Sequence, residues 1–561
     1  MEPLGPRRVA VRCWPYLLIL LISGMLMSIK LMYPLSWPGL NVLLGNNGVD
    51  EGIHLMTGRL ASNGYGMYTD VNAQQGPLFM LVYMLLGGEP MLARALSVIM
   101  GTLGIVGIFL IAEEVGNRRV GILAALFVSM NFDYFKESRH ASVDLYSTVI
   151  LVFAFYFIIR ALKKYGAEQK ERRTGTGWTL LCIVISGSLF AMAAMTKLFA
   201  FVPMGAVSLY LVLMSANSMG RKDRSGTELA LLTAAFFVSA MVMGLVLLSV
   251  FGPFKTIEGM LLSNMDRPSQ PIGERLLGIG RFALLMSVPL LFGIFHAVRK
   301  RNDRAVIMLL SWALPLLVLF ALQSLTWFHY YVLVIPPIAL LGALGIDGVL
   351  SRAGLPLGLR SSERGTPIGD TKTPTLSWEH LSNGGTSKGK RWPSLAAVTI
   401  VIAFLLLTTG ANILILALTE RPVEYLVASD LEENTAKGDW VICGDPMISL
   451  YADRDQPPEA TNLAEVRYPP LDPLELINIT ARYQVKAVVI TYQLSTFEPF
   501  TEFVQEHFVL FASYARPYER TFNMSMGRTE RGTFDLYLWP ASKDMDLARA
   551  EFLASLVSDP R

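Results

Sequence analysis

The sequence predicts an α-helical polytopic membrane protein carrying a small C-terminal α/β soluble domain on the outer face, and three observations predict it. Hydrophobic residues make up 52% of the 561 and charged residues only 17%, with mean hydropathy +0.44, which excludes a purely soluble chain. About eleven uncharged runs approach the roughly 20 residues that a helix needs to cross a hydrocarbon core about 30 Å thick. From about residue 420 the composition returns to that of a soluble domain.

The first run extends from about Pro15 to Pro34. Arg7, Arg8 and Arg12 precede it and no small-residue cleavage site follows, so it reads as a retained anchor rather than a signal peptide. The others centre near residues 100, 125, 152, 186, 206, 240, 288, 314, 340 and 405. The 178–215 stretch holds two helices that turn at Thr196 and Lys197, ahead of Pro203. Lys and Arg collect in alternate loops: Arg118–Arg119, Lys163–Arg173, Arg221–Arg224 and Arg299–Arg304. Positive charge is retained on the cytoplasmic side, so these loops and the N-terminus are expected inside. The segments 36–90, 131–140, the Lys197 turn, 252–280 and 323–329 then face outward. Residues 1–350 form the membrane region that carries the chemistry, in the plasma membrane or its equivalent. Residues 351–391, rich in Gly, Ser, Thr and Pro, read as a flexible cytoplasmic linker. A last span over 392–419 exports the domain of 420–561.

Forty-eight Lys and Arg against 45 Asp and Glu leave a net charge of +3, too balanced to grip a nucleic-acid backbone. Cys13, Cys182 and Cys443 are scattered and odd in number, and they spell out neither a disulfide framework nor a metal site. In the C-terminal domain, 440–443, 485–490 and 534–538 read as strands and 474–483 and 497–508 as helices. No Gly-rich phosphate loop and no nucleophile elbow accompanies them, so the domain reads as a lid or an acceptor-docking module.

The unusual polar residues sit in the outward loops. Asp50 and Glu51 open a segment in which Ile53, Met56 and Leu60 recur at helical spacing. This predicts an amphipathic helix along the membrane surface, with Asp50 at its start. Asp50 there is either a helix cap or a chemical group. Asp144, after Lys136, Glu137, Arg139 and His140, stands at the end of an apolar span, where a carboxylate is costly unless paired or facing a wet cavity. Arg139 or Lys197 is its expected partner. Lys197 either snorkels to headgroups or holds an anionic ligand group. His54, Tyr68, Gln75 and His140 join Asp266 and Arg267 as candidate lining residues of the same side. In Trp327-Phe328-His329-Tyr330-Tyr331 an interfacial aromatic belt explains all but His329. His54 lies three residues beyond Glu51, which permits a metal pair, but no third ligand is spaced for it. No cofactor is expected to be required, and a divalent metal is the lesser alternative.

Assembled, the pattern resembles the GT-C class of integral membrane glycosyltransferases, nearest the family 39 dolichyl-phosphate-mannose protein mannosyltransferases and the related lipid A aminoarabinose transferases. The resemblance covers about residues 15–350. It is carried by Asp50-Glu51-Gly52 with Gly58, Leu60, Gly64, Tyr68 and Asp70, then by Gly76-Pro77-Leu78 and Ser138-Arg139-His140-Ala141-Ser142-Val143-Asp144. Met195-Thr196-Lys197 and Tyr330-Tyr331 with Pro336 complete it. The resemblance implies a GT-C fold in which Asp50 is the catalytic base, Glu51 completes the acidic pair and Asp144 is a second acidic residue at the rim. It further implies that Lys197 and Arg139, with His329 and Tyr330 beside them, hold the phosphate of a polyprenyl-phosphate sugar. Gln75 stands where the aminoarabinose transferases carry lysine, which argues against that sugar. The Trp-Trp-Asp signature of oligosaccharyltransferases is absent, which argues against transfer of a whole glycan to asparagine.

The expected activity is inverting transfer of a monosaccharide from a polyprenyl- or dolichyl-phosphate donor to a hydroxyl of a protein, lipid or glycan acceptor. The competing classes are a polytopic transporter or lipid flippase, whose polar groups concentrate near the membrane midplane, and a receptor, which leaves the acidic pair unexplained.

Overall fold

The computed structural model describes residues 6–33, 48–171, 176–219, 224–265, 270–323, 326–352, 392–463, 471–523 and 528–558. The linker expected at 351–391 lies almost wholly outside the described residues, as do Asp266 and Arg267. Each of the eleven expected span centres carries helix. Among the described residues, eight helices are long and apolar enough to cross a membrane: 90–115, 143–167, 177–194, 198–219, 226–249, 304–322, 328–351 and 395–418. The other three differ from the simple expectation. Helix α1 (Pro6–Ser28) ends before Pro34. Arg118–Met130 has 13 residues, too few at 1.5 Å each to cross. The run near 288 is a pair, Ile272–Leu285 and Ser287–Arg299, bent by 84°.

The connections place the elements at two ends of an antiparallel bundle. At one end Lys163 Nζ meets Glu114 at 3.1 Å and Asn117 Nδ2 donates to Asp347 at 2.9 Å. Asn117 also caps Arg118–Met130 by accepting from the Arg119 and Val120 amides. At the other end lie the segment after α1, helix α2 (Gly48–Ser62), and a short helix, Phe132–Glu137, whose six residues are all buried. The Lys197 turn, the bent pair's first half and the one-residue-tighter helix Phe328–Val334 complete that end. The last span, Trp392–Leu418, delivers the C-terminal domain there.

That domain is a four-stranded sheet: β1 (Val441–Cys443), β2 (Ala487–Ile490), β3 (Val509–Asn523) and β4 (Arg528–Leu538), in the order β1-β2-β4-β3. β1 and β2 run parallel, and the other pairings are antiparallel. The side-chain period of two sends Ile442 and Val488 into one apolar layer and Val441, Cys443, Ala487 and Val489 into the other. Helices Pro473–Arg482 and Glu498–His507 fall where the sequence expected them. Cys182 and Cys443 are buried free thiols.

α2 departs from the expected surface helix. Apart from Asp50, Arg59 and Ser62 its described side chains are buried on every side. One flank packs on the bundle, where a Cβ on Gly58 would lie 2.7 Å from the Tyr83 backbone. The other flank is covered by the C-terminal domain, where a Cβ on Gly52 would lie 2.6 Å from the Met447 amide nitrogen. Met447 and Leu450 join the same apolar core as Leu55, Met56 and Leu60.

Candidate active site

Asp50 occupies the first turn of α2, where free backbone amides and the helix dipole favour a carboxylate. Its side chain is exposed while those of Val49 and Glu51 are buried, and it lies within electrostatic reach of Lys136 and Asp144. Asp144 begins the span after the Ser138–Ser142 loop and is 1% exposed. Its Oδ2 lies 3.4 Å from Lys197 Nζ and 3.7 Å from His329 Nε2. Among the described residues its Oδ1 has no hydrogen-bond partner. The Lys197 ammonium also stands 4.6 Å over the Tyr330 ring and 5.3 Å over Phe199. Lys197, not Arg139, is therefore the partner of Asp144.

The Lys197 turn is fixed by the first loop. The Gly76 and Leu78 amides donate to Thr196 O and Met195 O, each at 3.2 Å. Only glycine permits this approach, because a Cβ on Gly76 would fall 2.0 Å from Met195 O. Tyr68, at φ +67°, donates to Gln75 O at 2.5 Å, so both serve to shape this strap.

Glu51 is not in the acidic cluster. Its carboxylate pairs with Arg94, Nη2 at 2.5 Å and Nε at 2.8 Å, and also accepts the Ala141 amide at 3.0 Å. Burial pushes the Glu51 carboxyl up, but the Arg94 guanidinium outweighs it and holds the group below its usual range. With its oxygens so occupied, Glu51 cannot pair with His54 on a metal. Arg139 likewise departs from the phosphate role. Its Nη1 donates to Met27 O at 2.7 Å and Ile29 O at 2.6 Å, and its Nη2 to Lys30 O at 2.9 Å, which satisfies the orphan carbonyls at the end of α1. His54 packs edge-on against Phe79, ring centroids 5.1 Å apart. Burial, helped by Lys197, pushes its pKa down to about 3, so it is neutral. His140 donates from Nδ1 to Lys136 O at 2.9 Å, and burial pushes it down to about 4.

Sequence reasoning missed two ion pairs that frame this site. Arg94 is one half of the first. Asp133 and Arg281 form the second, with Arg281 Nη1 at 2.9 Å from Asp133 and its guanidinium 4.7 Å over the Phe328 ring. Their signal was available as charge inside apolar surroundings, but 148 residues separate these partners.

The bundle, with its acidic end covered by a small α/β domain, is the fold of the GT-C membrane glycosyltransferases. ArnT from Cupriavidus metallidurans, solved bound to undecaprenyl phosphate, superposes with a TM-score of 0.54 at 14% identity over 96% of this chain and 99% of that one. The archaeal oligosaccharyltransferase AglB from Archaeoglobus fulgidus, solved with an inhibitory peptide and a dolichol-phosphate, superposes at 0.51 and 14% identity over 91% of this chain and 74% of that one. Within this fold, residues 77–244 match the sequence model of the dolichyl-phosphate-mannose-protein mannosyltransferases. No curated protein matches the chain by sequence.

Proposed function

We propose that this protein is an inverting glycosyltransferase that moves a monosaccharide from a polyprenyl-phosphate donor to an acceptor hydroxyl on the outer face of the membrane. One observation carries the reading: Asp50 in a helix first turn stands in electrostatic reach of an Asp144 that is itself bound to Lys197 and His329. The match of residues 77–244 to the mannosyltransferase model supports it, as do the lipid phosphates bound by the two superposed proteins.

A sugar on a lipid phosphate has a good leaving group, so the work is to activate the acceptor and to receive charge. Asp50, at the exposed edge of the cluster, takes the acceptor hydroxyl proton as its oxygen bonds to the anomeric carbon. The bond from that carbon to the phosphate oxygen breaks, and its electron pair stays on the phosphate. Lys197 is aimed there by Asp144 and Tyr330 and meets the growing negative charge where little water screens it. Attack opposite the leaving group inverts the anomeric centre.

The test is sugar transfer by the purified protein in liposomes from a panel of radiolabelled polyprenyl-phosphate monosaccharides, run beside Asp50→Asn. Transfer by wild type that falls by about 100-fold or more in the variant, with thermal stability unchanged, is the expected result. Equal transfer by both removes Asp50 as the base. No transfer and no lipid-phosphate binding by wild type removes the enzyme and favours a transporter.

A further inference from the structure

The helix Ile272–Leu285 is turned inside out. Its exposed side chains are Ile272, Leu276, Leu277, Ile279 and Leu284, with Ile272 69%, Leu276 61% and Leu284 72% exposed; the other exposed positions on it are glycines. Its two arginines point the other way. Arg281 is bound to Asp133 and lies over Phe328, and Arg275 Nη1 donates to Gln323 O at 3.3 Å. On the same inner side Phe282 stacks on Tyr331 with centroids 4.9 Å apart. A helix lying in water shows the opposite distribution.

The exposed face continues a larger apolar surface. The next helix, Ser287–Arg299, exposes Leu291, Phe295 and Val298. Between them the chain bends 84° at Met286, where Met286 Sδ accepts from Asn131 Nδ2 at 3.3 Å. Hydrocarbon is the partner that such an uncharged face fits, and the bend turns this helix nearly perpendicular to the one that follows. Its inner face reaches the site through Phe328, the neighbour of His329.

We infer that Ile272–Leu285 is a lipid-seated flap, its outer face on acyl chains and its inner face closing the side of the acidic cluster. Lipid phosphate passes beneath it to Lys197 when the Arg281–Asp133 latch opens about Met286. The entry route rests on the polyprenyl-phosphate reading above; the lipid contact does not.

Two measurements test it. Cys13, Cys182 and Cys443 are replaced by alanine, and Leu276→Cys and Leu284→Cys are labelled with bimane in nanodiscs containing lipids nitroxide-labelled at a shallow acyl position. Quenching within about twofold of Phe295→Cys, and well above Leu547→Cys on the C-terminal domain, is expected; quenching no greater than Leu547→Cys overturns the lipid seat. In the second, Leu276→Asp weakens undecaprenyl phosphate binding by about tenfold or more, and unchanged binding overturns the entry route. Binding without sugar transfer by wild type removes the transferase reading and leaves the flap standing. Absence of wild-type binding removes the donor reading and the entry route together, leaving the first measurement to decide the lipid seat.

Discussion

Arg139 and Lys197 look alike in the sequence, both being cations next to apolar spans, yet they end in opposite situations. Arg139 is spent on carbonyls at the end of α1, at 2.6 to 2.9 Å for the three shortest bonds. Lys197 has an ammonium bound to one carboxylate oxygen and two ring faces. Their variants therefore separate. Arg139→Lys cannot reproduce the planar fork and leaves buried carbonyls unmet, so it should lower stability by about 1–3 kcal/mol while kcat/KM of the folded fraction holds. Lys197→Met strands the buried Asp144 carboxylate and so should also lower the unfolding midpoint, but unlike Arg139→Lys it should lower kcat of the folded fraction by about 100-fold. Steady-state transfer with a melting curve on each variant checks both. What was legible at this scale was that Asp50, Asp144 and Lys197 fall at one end of the spans, Asp144 and Lys197 because each interrupts an apolar run and Asp50 because it opens the first outer helix. The true partner of Glu51 was not legible, because Arg94 lies 43 residues away and nothing local marks it.

At the scale of elements, the strap from Gly76 to the Lys197 turn ties the first loop to the cation. Gly76→Ala forces a Cβ to 2.0 Å from Met195 O, so either the strap or the turn must move. A shift of about 1 Å at that turn is expected to cost transfer up to about 100-fold, with lipid-phosphate affinity weakened in parallel. A variant with wild-type kinetics would show that the turn is held by other contacts. The helices were the most legible elements, since hydropathy alone located all eleven centres. The break at Met286 was not, because the run stays apolar through it and only Asn131 and the inward-turned Arg281 reveal the bend. β3 was missed as well: it opens on Val509-Leu510-Phe511, three apolar residues in a row with no alternation of apolar and polar.

For the whole molecule, the joint between the membrane region and the C-terminal domain matters most. Arg59 Nε and Nη2 meet Asp455 at 2.6 Å and Asp453 at 2.8 Å, and Lys437 shares Asp453 at 2.7 Å. Above it Tyr425 stacks on Tyr451 with centroids 4.1 Å apart and donates to Met32 O at 3.2 Å. The sequence showed two regions but not this joint, since the contacts that cross it, Arg59 with Asp455 and Tyr425 with Met32, pair residues 396 and 393 positions apart. Because the Arg59 pairs are partly exposed, their worth is modest and falls with salt. Arg59→Glu should lower the unfolding midpoint, and adding Asp455→Arg should recover part of it. A double-mutant cycle is expected to give a coupling of about 1 kcal/mol that shrinks at high ionic strength.

The joint also fixes an order of events during synthesis. Arg59 must wait for a partner 396 residues further along, and Gly52 for Met447. Until the final quarter of the chain leaves the ribosome, the helix bearing Asp50 has one finished flank and one bare apolar flank. Closing so long a loop is slow compared with forming the neighbouring hairpins, so the spans are in place well before the acidic end is complete. A nascent chain halted before Pro446 is therefore an inserted bundle with an unbuilt active end, and it is the species that quality control meets first.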